Sequence, residues 1–284
     1  MGLEATIAMG FLLLIGIETL IGWSNGLYIY DVKDTLANVA LALGNLVMAV
    51  AMKGGFLTGL VFLHRLAPWD FGHTWYGWVL LVLINDFSYY VFHRLGHRSR
   101  FMWALHITHH SSQRYNFFVA VRLNMLIFPL HALFIAPLAL MGFRPGAIMM
   151  ISAFTTLYQM WTHTELVGKL GCLDKVLNTP SNHRVHHGSN PQYLDRNYGA
   201  IFIFWDHLFR TYEPEVAKPV YGLTKNVNSY NPVTLTLHEV HAMLRDVARP
   251  GPWRQRLIYL LRPPNWMLPM VSKSKAASSE SPSA

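Results

Sequence analysis

Apolar residues gather into five long stretches in the first 161 positions, after which polar residues take over. Ala5–Trp23 is interrupted only by Glu18 among charged residues, and Thr35–Leu63 only by Lys53, with Gly54-Gly55 inside it. Trp75–Phe92, Met125–Gly142 and Gly146–Trp161 follow. A helix needs about 20 apolar residues to cross the hydrocarbon core, and fewer where the bilayer thins. The pattern therefore predicts an all-α integral membrane protein with a bundle of four to five transmembrane helices. Thr35–Leu63 fits either one long tilted helix or a helix followed by a short re-entrant piece. Ala5–Trp23 lacks a basic leading region and a small-residue cleavage site, so a retained helix is expected there and not a signal peptide. The turn Gly142-Phe-Arg-Pro-Gly146 joins the last two stretches into a helical hairpin.

The polar part predicts a helical cap. Asn231–Arg249 has helical spacing of Leu235, Val240, Leu244 and Val247, and Trp253–Leu261 is a basic, apolar segment suited to a membrane surface. Ser272–Ala284 is rich in Ser, Ala, Lys and Pro and is expected to be a disordered tail. Residues 1–271 are expected to form a single membrane-embedded domain. A hairpin returns the chain to the side it left, so the residues after Phe92 and those after Trp161 should share one face. Arg94, Arg98, Arg100, Arg114 and Arg122 lie on that face, against Arg144 alone at the hairpin turn. Positive charge marks the cytoplasmic side. The expected location is a multi-pass protein of a bacterial inner membrane or the endoplasmic reticulum, with its cap in the cytosol.

Composition agrees. Of 284 residues, 52% are apolar and 13% charged, about half the charge of an ordinary soluble domain. The net charge of +8 suits an anionic membrane face, and no basic-aromatic module points to nucleic acid. Cys172 is the single cysteine, which excludes an internal disulfide and any cysteine-based zinc or iron–sulfur site.

Three histidine clusters carry the chemistry. His93-Arg-Leu-Gly-His97 places imidazoles at i and i+4, while His106-Ile-Thr-His109-His110 and His183-Arg-Val-His186-His187 place them at i, i+3 and i+4. Residues three and four apart share a helix face, so each cluster can aim its rings at one point. The hairpin lets all eight converge. Imidazoles so crowded compete for hydrogen-bond partners and repel when protonated, unless a metal takes their lone pairs. Eight ligands exceed a four-ligand zinc site and one octahedral ion, and imidazole suits iron, zinc, copper and nickel alike. An all-histidine site adds no ligand charge and leaves its ions strongly electrophilic, able in principle to activate O2 against an unactivated carbon.

The stretch Asp86-Phe-Ser-Tyr-Tyr-Val-Phe-His-Arg-Leu-Gly-His97, with Trp103-Ala-Leu-His-Ile-Thr-His-His-Ser111, resembles the fatty acid hydroxylase / sterol desaturase superfamily. Tyr158-Gln-Met-Trp-Thr-His-Thr-Glu165, Asn178-Thr-Pro-Ser-Asn-His-Arg-Val-His-His-Gly188, Asp195-Arg-Asn-Tyr-Gly199 and Trp205-Asp206 continue the match. The resemblance covers about 86–213, and it is strongest to the alkylglycerol monooxygenase-like and bacterial sterol-desaturase-like branch. It departs at Phe209-Arg-Thr, where the family usually has Phe-Gly-Thr. It implies two Fe ions, O2 as oxidant, hydroxylation or desaturation of a lipid, and His163 as a ninth ligand. It also implies an external electron donor, either a protein or a small reductant such as a reduced pterin. The lipid stays open among sterol, fatty acyl chain, alkyl ether and carotenoid.

Asp86 lies two helical turns before His93 and is a candidate to orient a ligand imidazole. Glu165, Asn182, Asp195 and Asp206 are further candidates. Glu18 is expected to snorkel or pair within the bundle. His238 and His241 are expected on an ordinary surface helix, and His131 either lines a substrate path or packs. The alternative reading is a zinc-dependent membrane hydrolase or a metal-handling membrane protein. A hydrolase usually carries a His-Glu-x-x-His motif, which this sequence lacks.

Overall fold

The computed structural model describes residues 3–264, and the expected disordered tail at Ser272–Ala284 lies outside them. The described residues are helical with no β-strand, and two isolated bridges, Leu177 to Phe202 and Gly188 to Tyr221, pin loops of the cap. Five helices build the apolar part: α1 (Leu3–Ser24), α2 (Val32–Arg65), α3 (Trp75–Arg98), α5 (Ile127–Leu140) and α6 (Pro145–Trp161). The cap contains α4 (Arg100–His110), α7 (Pro180–His186), α8 (Phe204–Leu208), α9 (Pro232–Val247) and α10 (Trp253–Leu261).

Length separates these helices. At about 1.5 Å per residue, α2 runs about 51 Å and α3 about 36 Å, against a hydrocarbon core of about 30 Å. Among the described residues α2 is the one helix both long and apolar enough to cross a membrane by that test. It continues through Gly54-Gly55 without a break, which decides for one long helix over a re-entrant piece. Of the hairpin helices, α5 has 14 residues, shorter than the stretch 125–142 that predicted it, whereas α6 has 17 and covers the whole of 146–161. The loop before α5 is taken up in holding the cap, where Asn124 Nδ2 donates to the Thr236 carbonyl at 2.8 Å.

The hairpin core packs Leu60 of α2, Leu81 of α3, Ile135 and Leu138 of α5, and Ile148 and Ile151 of α6 around Phe143. Polar stitches fix its register: Asn85 Nδ2 donates to Thr155 Oγ1 at 3.0 Å, and Ser88 Oγ to the Phe134 carbonyl at 2.7 Å. Such bonds are common cement between membrane helices. Gly142 closes the hairpin at φ 95°, and a Cβ there would sit 2.6 Å from the Trp69 carbonyl oxygen. Glu18 is buried and paired, with groups of the connecting segments and not with another helix of the bundle. It accepts from the Tyr30 hydroxyl, from the Phe117 N–H at 3.0 Å and from Thr164 Oγ1 at 2.5 Å.

Arg122 departs from the surface role that the charge count gave it. It is 1% exposed and donates to Asp34 Oδ1 at 3.1 Å, Asn38 Oδ1 at 2.6 Å and the Thr108 carbonyl at 3.1 Å. This network ties the start of α2 to the end of α4. In the cap, α9 and α10 pack on α4 through Ala104, Met243 and Tyr259. Arg100 reinforces the contact by an ion pair to Glu239 at 2.6 Å.

Arg210 stands where the family pattern has glycine, and it holds φ 60°. That left-handed conformation costs a residue with a Cβ about 1 kcal/mol or more. The side chain is exposed, so Arg210→Gly should raise stability by up to about 1 kcal/mol. Thermal unfolding in detergent checks this; an unchanged or lower midpoint would contradict it.

Candidate metal centre

Nine buried imidazoles meet where α3, α4, α6 and α7 end, and they sort into two groups. His93, His97, His106, His110 and His186 form one; His109, His163, His183 and His187 form the other. Within each group the nitrogens offered as ligands lie within 4.8 Å of one another. The clusters were expected to aim each at one point, and the structure divides them. In both His-x2-His-His motifs the i and i+4 rings serve one group and the i+3 ring serves the other. Successive helical residues point about 100° apart, while i and i+4 differ by only about 40°. His109 and His110 therefore cannot face the same point, and each motif braces both groups.

The rings are set by acceptors outside the groups. His93 Nδ1–H donates to the Tyr198 carbonyl at 2.9 Å, His186 Nδ1–H to the Arg196 carbonyl at 2.9 Å, and His163 Nδ1–H to the Gln159 carbonyl at 2.8 Å. His97 Nδ1 faces Asp195 Oδ1 at 3.6 Å. In a neutral imidazole that donates from Nδ1, Nε2 carries a lone pair. In His163, Nε2 points at Nε2 of His109 at 3.3 Å and of His183 at 3.1 Å, and in His186 it points at Nε2 of His110 at 3.2 Å. Two imidazoles bound side by side to one ion at about 2.1 Å place their nitrogens about 3.0–3.4 Å apart. The observed spacings match that edge. His93 Nε2, His97 Nε2 and His187 Nε2 are buried with no hydrogen-bond partner, a costly state that a cation relieves. The residues therefore fit one metal ion per group.

Burial, reinforced by neighbouring rings, holds His106, His109, His110, His183, His186 and His187 well below the usual imidazole range, and burial pushes His163 down to about 4. Neutral rings are what a metal requires. The sign for stability follows. Below a pH of about 6.5 the unfolded chain takes up protons that the folded metal-free protein refuses, so stability falls with pH. The metal-free protein should lose thermal stability progressively between about pH 6.5 and pH 4. A midpoint that held steady over that range would contradict the buried, neutral state of these rings.

The loop 195–206 is the frame of the site. Asp195 and Asn197 both adopt left-handed backbone, at φ 61° and 57°, and between and beside them lie the two carbonyls that receive His186 and His93. Asp206 secures the loop by accepting from the N–H groups of Tyr198 and Gly199, each at 2.8 Å. Burial pushes its carboxyl up to about 6. Asp86 was a candidate to touch an imidazole, and it does not. Its carboxylate takes the Ile201 N–H at 2.8 Å and Trp205 Nε1–H at 2.9 Å, so it acts on the loop while Tyr198 takes His93. Asn182 likewise binds backbone, at the Asp174 and Leu177 carbonyls. Glu165 is exposed and bonds to no imidazole. His241 is exposed and His238 bonds to carbonyls of its own helix. Sequence reasoning missed the carbonyls of Gln159, Arg196 and Tyr198, because a backbone acceptor leaves no side-chain signature.

A cavity of about 840 Å³ reaches His97, His110, His186 and His187. Trp103, Ile107, Leu223 and Val227 give it apolar walls, and Arg100 and Glu239 a charged one.

The fatty acid hydroxylase family model matches residues 78–211. Alkylglycerol monooxygenase of Homo sapiens is 38% identical over 240 residues, which is 82% of this chain and 53% of that protein. The Xenopus tropicalis alkylglycerol monooxygenase is 36% identical over 262 residues, 90% of this chain and 58% of that protein. The ornithine lipid hydroxylase OlsE of Rhizobium tropici is 28% identical over 205 residues, 68% of this chain and 62% of that protein. The chain thus spans about half the length of the alkylglycerol monooxygenases it matches. No solved structure matches it.

Proposed function

The chain belongs to the fatty acid hydroxylase family through residues 78–211, and on that premise we propose that it is a membrane-bound lipid hydroxylase or desaturase using two iron ions and O2. The observation that carries this reading is the pair of buried all-imidazole groups, five rings and four, with lone pairs turned inward. His93, His97, His106, His110 and His186 would hold one iron, and His109, His163, His183 and His187 the other. When bound, the irons supply the reduction of O2 and the abstraction of hydrogen from carbon.

The chain's own residues do the rest. Nine neutral rings add no negative charge, so the ions keep their electrophilicity. The carbonyls of Gln159, Arg196 and Tyr198 hold three rings in fixed tautomers and rotamers, as outer partners of metal-bound histidines do. Burial of all nine rings excludes bulk water, which limits leakage of oxidant. The cavity beside His97, His110, His186 and His187 gives a reactant access to the centre from the cap.

The proposal includes a single membrane domain over residues 1–271, with α1, α2, α3 and the α5–α6 hairpin in the bilayer and the cap on the cytoplasmic face. Short α5 and α6 fit a bilayer thinned beside the cap. The substrate class is a lipid such as an alkyl ether, a fatty acyl chain or a sterol. Electrons come from a donor outside the chain, a protein or a reduced pterin. The relatives named alkylglycerol monooxygenase and ornithine lipid hydroxylase support lipid oxidation.

Metal analysis of the purified full chain in detergent tests this. Two irons per chain, with ¹⁸O from ¹⁸O2 in a lipid product or loss of two hydrogens from it, is the expected result. Zinc alone, retained after reconstitution with ferrous iron and reductant, would overturn it.

A further inference from the structure

α5 carries a single polar side chain. Its sequence, Ile-Phe-Pro-Leu-His-Ala-Leu-Phe-Ile-Ala-Pro-Leu-Ala-Leu, is apolar apart from His131. An imidazole in such a helix is costly unless it is used. Two polar side chains of the facing helix α3 are engaged: Asn85 with Thr155, and Ser88 with the Phe134 carbonyl. His131 makes no hydrogen bond among the described residues. Its neighbours are aromatic, with ring centres 5.0 Å away at Phe92 and 6.1 Å away at Tyr89. Neither His131 nor Tyr89 is sealed in the core; both are partly exposed. The Tyr89 hydroxyl also has no hydrogen-bond partner among the described residues.

The place of this pair gives it meaning. The Tyr89 ring lies 5.5 Å from the ring of His93, a member of the five-imidazole group. His131 is therefore one aromatic ring removed from the metal centre, on the side of the bundle helices and away from the cap. It sits four residues into α5, about 6 Å along the axis from the end nearest the cap. With α5 placed in the bilayer as proposed above, that level is close to where the polar part of a lipid would meet its chain. A neutral imidazole offers one N–H donor and one acceptor nitrogen, which complement a hydroxyl and can also serve an ether or ester oxygen.

We propose that His131, with Tyr89 beside it, binds the oxygen function of the lipid substrate and so selects oxygen-bearing lipids over bare hydrocarbon chains. This deepens the lipid-oxidation reading above and rests on it. The bound oxygen function lies beside the centre, so the carbon presented for attack is close to the lipid's polar end and not at the end of its tail. His131 is thereby a specificity-determining residue and touches no metal.

The test uses the full chain in lipid nanodiscs, as wild type, His131→Leu and His131→Gln. The probes are an alkylglycerol, a monoacylglycerol and a long-chain alcohol, with an n-alkane of equal chain length as reference. Metal content, read first, should be the same in all three proteins. Binding is then measured by titrated thermal stabilisation. His131→Leu should weaken binding of at least one oxygen-bearing probe about tenfold, the worth of one buried hydrogen bond. Binding of the alkane should not change, and His131→Gln, which keeps a donor and an acceptor, should recover most of the loss. Equal affinity of wild type and His131→Leu for every oxygen-bearing probe would overturn the role of His131 and leave the lipid reading standing. Wild type that binds none of the oxygen-bearing probes would overturn both. An equal loss for the alkane would reduce His131 to a packing residue.

Discussion

Replacing His186 by alanine is expected to abolish lipid oxidation and to lower bound metal by about one ion per chain, while leaving the protein folded in the membrane. His186 packs against three rings of the five-ring group, with ring centres 4.2 Å from His93, 4.8 Å from His97 and 4.7 Å from His110. Its Nδ1–H is fixed on the Arg196 carbonyl and its Nε2 points inward. Loss of an outer partner of a ligand typically costs 10–100-fold in metal affinity or activity; removing a ligand itself should cost more than about a hundredfold. The four-ring group keeps all its members, so one ion should remain. His109→Ala removes a member of that second group and should abolish turnover as well. His241 is exposed on α9, and His241→Ala should change neither metal content nor rate. Metal analysis and product formation on the three variants decide the matter. Full activity in His186→Ala would refute the shared site.

The largest effect on stability is expected at Arg122. Its guanidinium is 1% exposed and holds Asp34, Asn38, Ser111 and the Thr108 carbonyl together. Asp34 is buried too, and it also receives Ser112 Oγ at 2.7 Å. Arg122→Ala leaves the Asp34 carboxylate without its counter-charge and deserts several acceptors. Breaking one side of a buried ion pair costs about 3–5 kcal/mol. The double variant Asp34→Asn with Arg122→Ala should recover part of that loss, since the isolated charge is then gone. Thermal or denaturant unfolding in detergent measures both. A loss under about 1 kcal/mol in the single variant would mean that this network does not anchor α2 to α4. Because Thr108 stands between His106 and His109, a loosened network should also weaken metal retention.

How far the sequence could be read depended on where each interaction lies along the chain. The motif histidines were legible because a ligand set on short helices leaves a local spacing. All nine rings named from the sequence and the resemblance are brought together. The helices of the apolar part were legible from runs of apolar residues, and α10 falls at Trp253–Leu261 as its composition predicted. Other features were hidden. Arg122 counted as one surface charge among five, and its burial depends on Asp34, 88 positions earlier. Asp86 stood out as an acid in an apolar helix, but its partners lie 115 and 119 positions away, at Ile201 and Trp205. Helical periodicity alone aimed it at His93. The departure at Arg210 was visible as a letter, and only the backbone showed that it occupies a left-handed site.

The sequence by itself determined that the chain is helical, largely apolar and furnished with imidazoles at i, i+3 and i+4, because these follow from the 100° turn per residue and from the cost of polar groups in hydrocarbon. Tertiary structure alone decided which ring shares a group with which. His106 and His110 join His93, His97 and His186, whereas His109 joins His163, His183 and His187. It also decided that three backbone carbonyls, one on α6 and two on the 195–206 loop, set the tautomers. Every residue carries a carbonyl, so sequence cannot mark the few that matter; the packing of that loop on Asp86 and Asp206 does.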